Sequence, residues 1–396
     1  MATTIDIVGS SNGCLGSARN LVWIGNTAWA FAYDGTQQIA SYYSSDLVTW
    51  YAGATYTLLN PHLGEGRNLS VTYKNIGGVD VIHVAIVYKA TTMLGVNAIR
   101  ATVAGTALTW HVVETAISTP TGDSGALYWS SPSVEVISDN RVFVADSYGD
   151  TGGNGDVTTN RSSVDPGTAE QLAPITWPGS YVIDASVANE VRSMYIFDRG
   201  GSAAGLINGN GSGHSTLTGI DFHTFNGSSW DINSQNALVS GGAITAIDNN
   251  DWGAVALSTT SAHAVYRTAT GSLVHRVWNG SSWGAGDSIP ALTTSSGTGV
   301  GLATDYAKTY MVVIANDAAQ SVRCITWQPG GWDLSWTTLE GSTASRNSVS
   351  CARDVASGNF IACWHEGTTL KSAYYNPSGP VYNAYYPYWF NAMRVM

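Results

Sequence analysis

The sequence predicts an all-β fold: a single β-propeller of seven four-stranded antiparallel blades, with six blades as the alternative. Three observations predict it. Apolar and polar residues alternate in short runs split by turn residues, as in "RNLVWI", "TAWAFAYDG" and "QQIASYYSSDLVTW" near the N-terminus. Groups of such runs recur in units of about 50 to 60 residues, the sequence signature of a radial repeat. A Trp also follows the third run of successive units, at Trp50, Trp110, Trp177, Trp230 and Trp283 and at Trp332 or Trp336.

Composition agrees. The 396 residues include 44 Gly, 15 Trp and 20 Tyr, and only 11% are charged, which suits many short strands joined by tight turns. No segment carries sustained helical periodicity. The units are placed at approximately 18–60, 66–120, 130–185, 186–240, 243–292, 297–342 and 345–396. Their limits are softest over 180–270, where "AITAID", "WGAVAL" and "AHAVYR" compete for the same strand positions. Each four-stranded unit has two apolar faces and is not stable alone, so a closed ring of units is how these strands hide them. The Trp residues are expected to wedge between neighbouring blades. Residues 1–17 precede the first unit, and "TTIDIVG" within them is expected to complete the last sheet and close the ring.

Charge and hydropathy exclude several classes. The net charge is −11 and the four lysines are scattered at 74, 89, 308 and 371, so no basic stripe meets a phosphate backbone and no nucleic-acid partner is expected. The longest apolar runs, such as "VIHVAIVY", fall far below the roughly 18 residues that a membrane span needs. "MATTIDIVGS" lacks the basic and apolar regions of a cleavable signal peptide. Cys14, Cys324, Cys351 and Cys363 have no metal spacing and are read as free thiols. Cys351 and Cys363 lie equidistant from Ser357, which predicts that they face each other across a hairpin.

The turn "SSDLVTW" (44–50) resembles a shortened Asp-box, the Ser-x-Asp-x-Gly-x-Thr-Trp turn between third and fourth strands of sialidase-type propellers. It drops one residue and the Gly, and only Thr-Trp survives in the next two units. The resemblance implies a structural turn in which Asp46 bonds the backbone and Trp50 packs inward.

The dipeptide Arg-Asn precedes the first strand of three units, at Arg19, Arg67 and Arg346. In a propeller the first strand lines the central channel, so these arginines are expected at its mouth, on blades that ring closure makes neighbours. Three guanidiniums there suit a carboxylate or another anion. Sialidases are similar in gripping a sugar carboxylate with three arginines. The alternative is that each arginine ties its blade to the next through backbone carbonyls or a nearby acid. Glu65, Asp34, Asp198 and Glu366 are assigned to the same face, with Glu65 and Glu366 as the acids nearest the arginines.

No pair of carboxylates has spacing that marks a glycosidase. "GDSG" (122–125) lacks the flanks of a protease nucleophile, and "GNGSG" (209–213) precedes no helix that would favour a phosphate. "DSYGDTGGNGD" gathers Asp146, Asp150, Asn154 and Asp156, hard oxygen donors suited to Ca2+; the alternative is a solvated acidic loop. No other cofactor is indicated. Two function classes follow. The favoured one is a non-catalytic propeller that binds a cell-surface glycan or other assembly proteins. Its composition resembles that of virion-associated propellers, which implies a phage structural or fibre protein, made in the cytoplasm and acting in the virion or outside the cell. The alternative is a sialidase-like glycoside hydrolase.

Overall fold

The computed structural model describes residues 3–6, 20–33, 37–46, 49–58, 69–90, 93–120, 132–149, 155–165, 175–179, 181–186, 191–211, 217–231, 252–268, 270–294, 299–304, 311–341, 346–353, 360–366 and 369–375. All regular structure among them is β, arranged in antiparallel sheets.

Sheet 1 holds β2 (Leu21–Ile24), β3 (Thr27–Tyr33) and β4 (Gln38–Ser44), with the short β5 (Tyr51–Ala52) and β6 (Tyr56–Thr57) both paired to β4. Sheet 2 is β7 (Leu69–Ile76), β8 (Val79–Ala90), β9 (Met93–Ala104) and β10 (Ala107–Pro120). Sheet 3 is β11 (Ser133–Val136), β12 (Arg141–Gly149), β13 (Gly155–Val164) and β14 (Tyr181–Ser186). Sheet 4 shows three strands, β15 (Val191–Asp198), β16 (Ala204–Gly211) and β17 (Leu217–Phe225). Sheet 5 is β18 (Trp252–Ser258), β19 (Ser261–Arg267), β20 (Leu273–Trp278) and β21 (Trp283–Ala285). Sheet 6 is β22 (Val300–Thr304), β23 (Met311–Asn316) and β24 (Val322–Gln328), with β25 (Gly331–Trp332) and β26 (Thr337–Glu340) both on β24. Sheet 7 is β27 (Arg346–Arg353), β28 (Phe360–Glu366) and β29 (Thr369–Tyr375), and β1 (Thr3–Asp6) pairs with the outer edge of β29. Of the contested segments, "WGAVAL" lies in β18 and "AHAVYR" in β19; 243–248 lies outside the described residues.

Each first strand touches the first strand of the next sheet. β2 lies against β7, β7 against β11, and so on through β15, β18 and β22 to β27, which touches β2. The chain is therefore an all-β propeller. Side-chain alternation makes the ring necessary. On β12, Val142 and Val144 join the core with sheet 2, whereas Phe143 and Ala145 join the core with sheet 4. A sheet apolar on both faces stays folded only between two others.

The tryptophans beyond the third strands fill these seams. Trp110 packs edge-on against Phe31 of sheet 1, with centroids 6.0 Å apart. Trp230 meets Phe143 of sheet 3 at 5.8 Å, and Trp283 meets Phe222 of sheet 4 at 5.4 Å. Trp332 lies 5.2 Å from His275 of sheet 5, and Trp177 packs against the core of sheets 2 and 3. Each ring thus reaches back to the preceding sheet. Turn chemistry repeats as well. Asn226 Oδ1 accepts from the backbone N–H groups of Ser228 and Ser229, and Asn279 Oδ1 does the same for Ser281 and Ser282. The Gly after each Asn has positive φ, 102° at Gly227 and 96° at Gly280, a conformation open to glycine at low cost. In sheet 1, Asp46 Oδ1 accepts from the Thr49 backbone N–H at 2.7 Å, and Trp50 is half-buried.

The register of β27 and β28 corrects one expectation. Cys363 is opposite Ser350 and Cys351 is opposite Ala362, so the two cysteines are one residue out of opposition. Equal distance from Ser357 would set them face to face only if Ser357 were the centre of the turn. The pairing Arg353↔Phe360 puts an even number of residues in the connection instead. Cys324 is a buried thiol; Cys14 lies outside the described residues.

Candidate functional site at the channel mouth

The first hairpin of every sheet turns at one end of the ring, so the starts of the first strands mark the other end, the mouth. Asn20 immediately precedes β2, and its carbonyl accepts from the Phe31 N–H at 2.9 Å, which carries the strand ladder up to the Arg-Asn pair. The Asn20 side chain is buried. Arg346 is the first residue of β27, and the register sets it directly opposite Glu366, the last residue of β28. A cation and a carboxylate thus occupy opposed positions on an innermost strand and its neighbour, at the mouth. Two of the three Arg-Asn pairs directly precede β2 and β7 in the sequence, the third begins β27, and β2 lies between the other two strands. Arg19, Arg67 and Glu65 lie outside the described residues.

Asp198 is not at the mouth. It ends β15 at the opposite rim, where Oδ1 accepts from the Gly200 N–H at 2.8 Å and Oδ2 from Ser138 Oγ at 2.5 Å. A first strand running out of the mouth end finishes at the far end, and the sequence segment alone does not show that Asp198 is the strand's last residue. Asp34 lies outside the described residues.

That opposite rim carries a set of inter-sheet ties, most of them on residues that sequence reasoning did not select. Lys74 Nζ of sheet 2 donates to the Ile137 carbonyl of sheet 3. Ser138 of sheet 3 donates to Asp198 of sheet 4, and Arg199 Nε of sheet 4 donates to the Thr259 carbonyl of sheet 5 at 3.4 Å. Burial pulls the Lys74 ammonium below its usual pKa, against the opposing pull of Asp198 and Asp139. Arg161 adds a further tie, donating to the Gly227 carbonyl at 2.9 Å with its guanidinium 4.8 Å from the centre of the Phe225 ring. The signal for the first three ties is one polar residue near each first hairpin, and hairpins carry polar residues in any case.

Deeper in the seam of sheets 2 and 3, Asp165 meets a histidine and an arginine. Its carboxylate lies 3.1 Å from His83 Nε2 and 3.5 Å from Arg100, and all three side chains are buried. Burial holds His83 below the usual imidazole range, partly offset by Asp165.

Of the proposed calcium ligands, Asp146 is buried on β12 opposite Thr158, and Asp156 is on β13 opposite Tyr148. Asp150 and Asn154 lie outside the described residues. Among the described residues, no three His, Cys, Asp or Glu side chains form a group able to hold a metal ion. No helix among them is long and apolar enough to cross a membrane.

No protein-family model matches the sequence, and no curated protein matches it. Solved structures match in fold. The BP39L lectin from Burkholderia pseudomallei aligns over 92% of this chain and 97% of its own, with TM-score 0.64 and 14% identity. The polysaccharide lyase Uly1 aligns over 94% of this chain and 92% of its own, with TM-score 0.51 and 11% identity. A variant of AofleA from Arthrobotrys oligospora with three arginines replaced by alanine aligns over 81% of this chain and 90% of its own, with TM-score 0.50 and 13% identity.

Proposed function

We propose that this chain is a non-catalytic glycan-binding propeller, that its seven sheets act as seven blades of one closed domain, and that the channel mouth takes an acidic sugar. The observation that carries the reading is the placement of the Arg-Asn pairs. In the sequence they stand just before β2 and β7 and at the very start of β27, three consecutive innermost strands, and Arg346 pairs in register with Glu366. Guanidinium groups brought together there would bind a carboxylate through paired, charge-assisted hydrogen bonds and would need no reaction to do so. The fold it shares with the BP39L lectin over almost the whole chain suits this role. No pair of carboxylates near these arginines stands out by its spacing as a glycosidase pair, which favours binding over turnover. The few lysines and abundant Gly and Tyr also suit a virion component that displays the mouth to a host surface.

The test is a glycan array of neutral and acidic sugars, run alongside a fluorogenic glycosidase panel on the same preparation. Retention of acidic glycans without turnover supports the reading. Turnover of a sialoside would instead establish the hydrolase, and no retention at all would remove the mouth as a glycan site. Electron microscopy of purified virions with antibody against the chain tests the assembly role separately.

A further inference from the structure

Between sheets 5 and 6 the fold encloses two histidines in tryptophan. His263 on β19 and His275 on β20 are both buried, with His263 Nδ1 2.8 Å from His275 Nε2. Their rings stack with centroids 5.1 Å apart and planes 18° apart. From sheet 6, Trp327 lies 4.6 Å from the His263 ring and 5.9 Å from the His275 ring, and Trp332 stands edge-on to His275 at 5.2 Å.

Asp287, two residues beyond β21 of sheet 5, fastens both indoles. Its Oδ2 accepts from Trp327 Nε1 at 2.5 Å and its carbonyl from Trp332 Nε1 at 3.2 Å. Gly286 beside it lies so close that a Cβ there would be 2.3 Å from His275 Nδ1. The imidazole pair therefore sits among the aromatic contacts that join sheets 5 and 6.

We propose that His263 and His275 form an acid-released latch: protonation of both imidazoles opens the seam between sheets 5 and 6. A hydrogen bond between two imidazoles needs one nitrogen to accept, and an imidazolium has no acceptor left. Two protons thus turn the 2.8 Å contact into two facing N–H groups on like charges.

The surroundings do not neutralise that charge twice over. Asp287 is the carboxylate that acts on both rings, and it is already engaged by Trp327. On β19, Ser261 Oγ lies 3.4 Å from His263 Nε2. Strand alternation sets Arg276 on the opposite face of β20. On sheet 6, Asp333 accepts from the Thr326 backbone N–H at 3.2 Å, and Arg323 is paired with Asp317 at 2.8 Å.

Burial accordingly pushes His263 down to about 3 and His275 down to about 4, with Asp287 pulling the other way in each case. In an opened seam both would titrate near the ordinary imidazole value of about 6.5. The closed form is therefore fully favoured above about pH 6.5, and its advantage is lost as pH falls towards the depressed values. Between about pH 6 and 4 the opening constant should rise by roughly fiftyfold per pH unit, with the slope nearest two protons around pH 5.

Amide hydrogen exchange on the full chain, followed from pH 7 to 4 and corrected for the intrinsic rate, tests this. The expected result is early, reversible loss of protection in β19, β20 and β24, with a slope approaching two protons. The His275→Gln variant should cut that slope to about one proton, and the His263→Gln, His275→Gln pair should abolish it. Protection lost first in other sheets of the unmodified protein, or a slope that the double variant leaves unchanged, would overturn the latch.

Discussion

Trp230 and Trp283 hold one structural position in successive sheets. Each closes an Asn-Gly-Ser-Ser turn, pairs with the aromatic residue five positions earlier, and packs on a phenylalanine of the preceding sheet. The turn and the seam are thus one device, because the Asn that shapes the turn also aims the indole backwards.

The two parts of that device should differ in cost. Trp230 is almost fully buried, so Trp230→Ala is expected to destabilise the fold by about 3 to 5 kcal/mol. Asn279→Ala removes an exposed turn acceptor and should cost only about 1 kcal/mol. Urea denaturation of both variants measures the contrast; equal midpoints would mean that the indole is not a wedge.

Asp165 should be much more costly to remove than its small size suggests. It is the acid against His83 and Arg100 across the seam of sheets 2 and 3, and its loss leaves the Arg100 charge buried without it. Asp165→Ala is expected to lose about 3 to 5 kcal/mol. His83 has a lowered pKa, so its contribution to stability is full above the unfolded value of about 6.5 and declines as pH falls below it. Thermal melts at a series of pH values on the parent and on His83→Gln would show this; the variant should lose less stability on acidification.

The innermost ring has no room at Gly253. A Cβ there would lie 2.7 Å from Leu302 Cδ1 and 2.9 Å from the Val300 carbonyl, on the neighbouring first strand β22. Gly253→Ala should therefore destabilise by about 1 to 3 kcal/mol through overpacking. Gly284→Ala on the outer strand β21, where the nearest atom is 4.0 Å away, should be tolerated. Calorimetry of the two variants is the check.

At the mouth, Arg346 and Glu366 should act with opposite sign on an acidic sugar. Arg346→Ala is expected to weaken binding by about 1.5 to 3 kcal/mol, the worth of a charge-assisted hydrogen bond. Glu366→Gln removes a like charge from the ligand's side and should tighten binding by at most about 1 kcal/mol. Titration calorimetry with a sialylated oligosaccharide decides; if both variants bind unchanged and Arg346→Ala melts early, the arginine is a tie between strands.

The sequence by itself determined the class of the fold and the place of its wedges. Strand alternation and the Asn-Gly turn act over a few residues, so "WNGSSWGA" announces both the hairpin at Asn279 and the indole that ends it. It also set Arg346 at the start of a first strand, since the alternating run "SVSCA" follows Arg-Asn directly. It did not fix the register of Cys351 and Cys363, because a connection of six residues and one of five look alike until the strands pair. Nor did it reveal Asp165 against His83 and Arg100, or Asp287 against Trp327, which lie tens of positions apart in the chain and share no local pattern. Those contacts exist because the ring closes and burial removes water from the seams. Only there does a lone histidine or aspartate acquire a partner that the tertiary structure alone supplies.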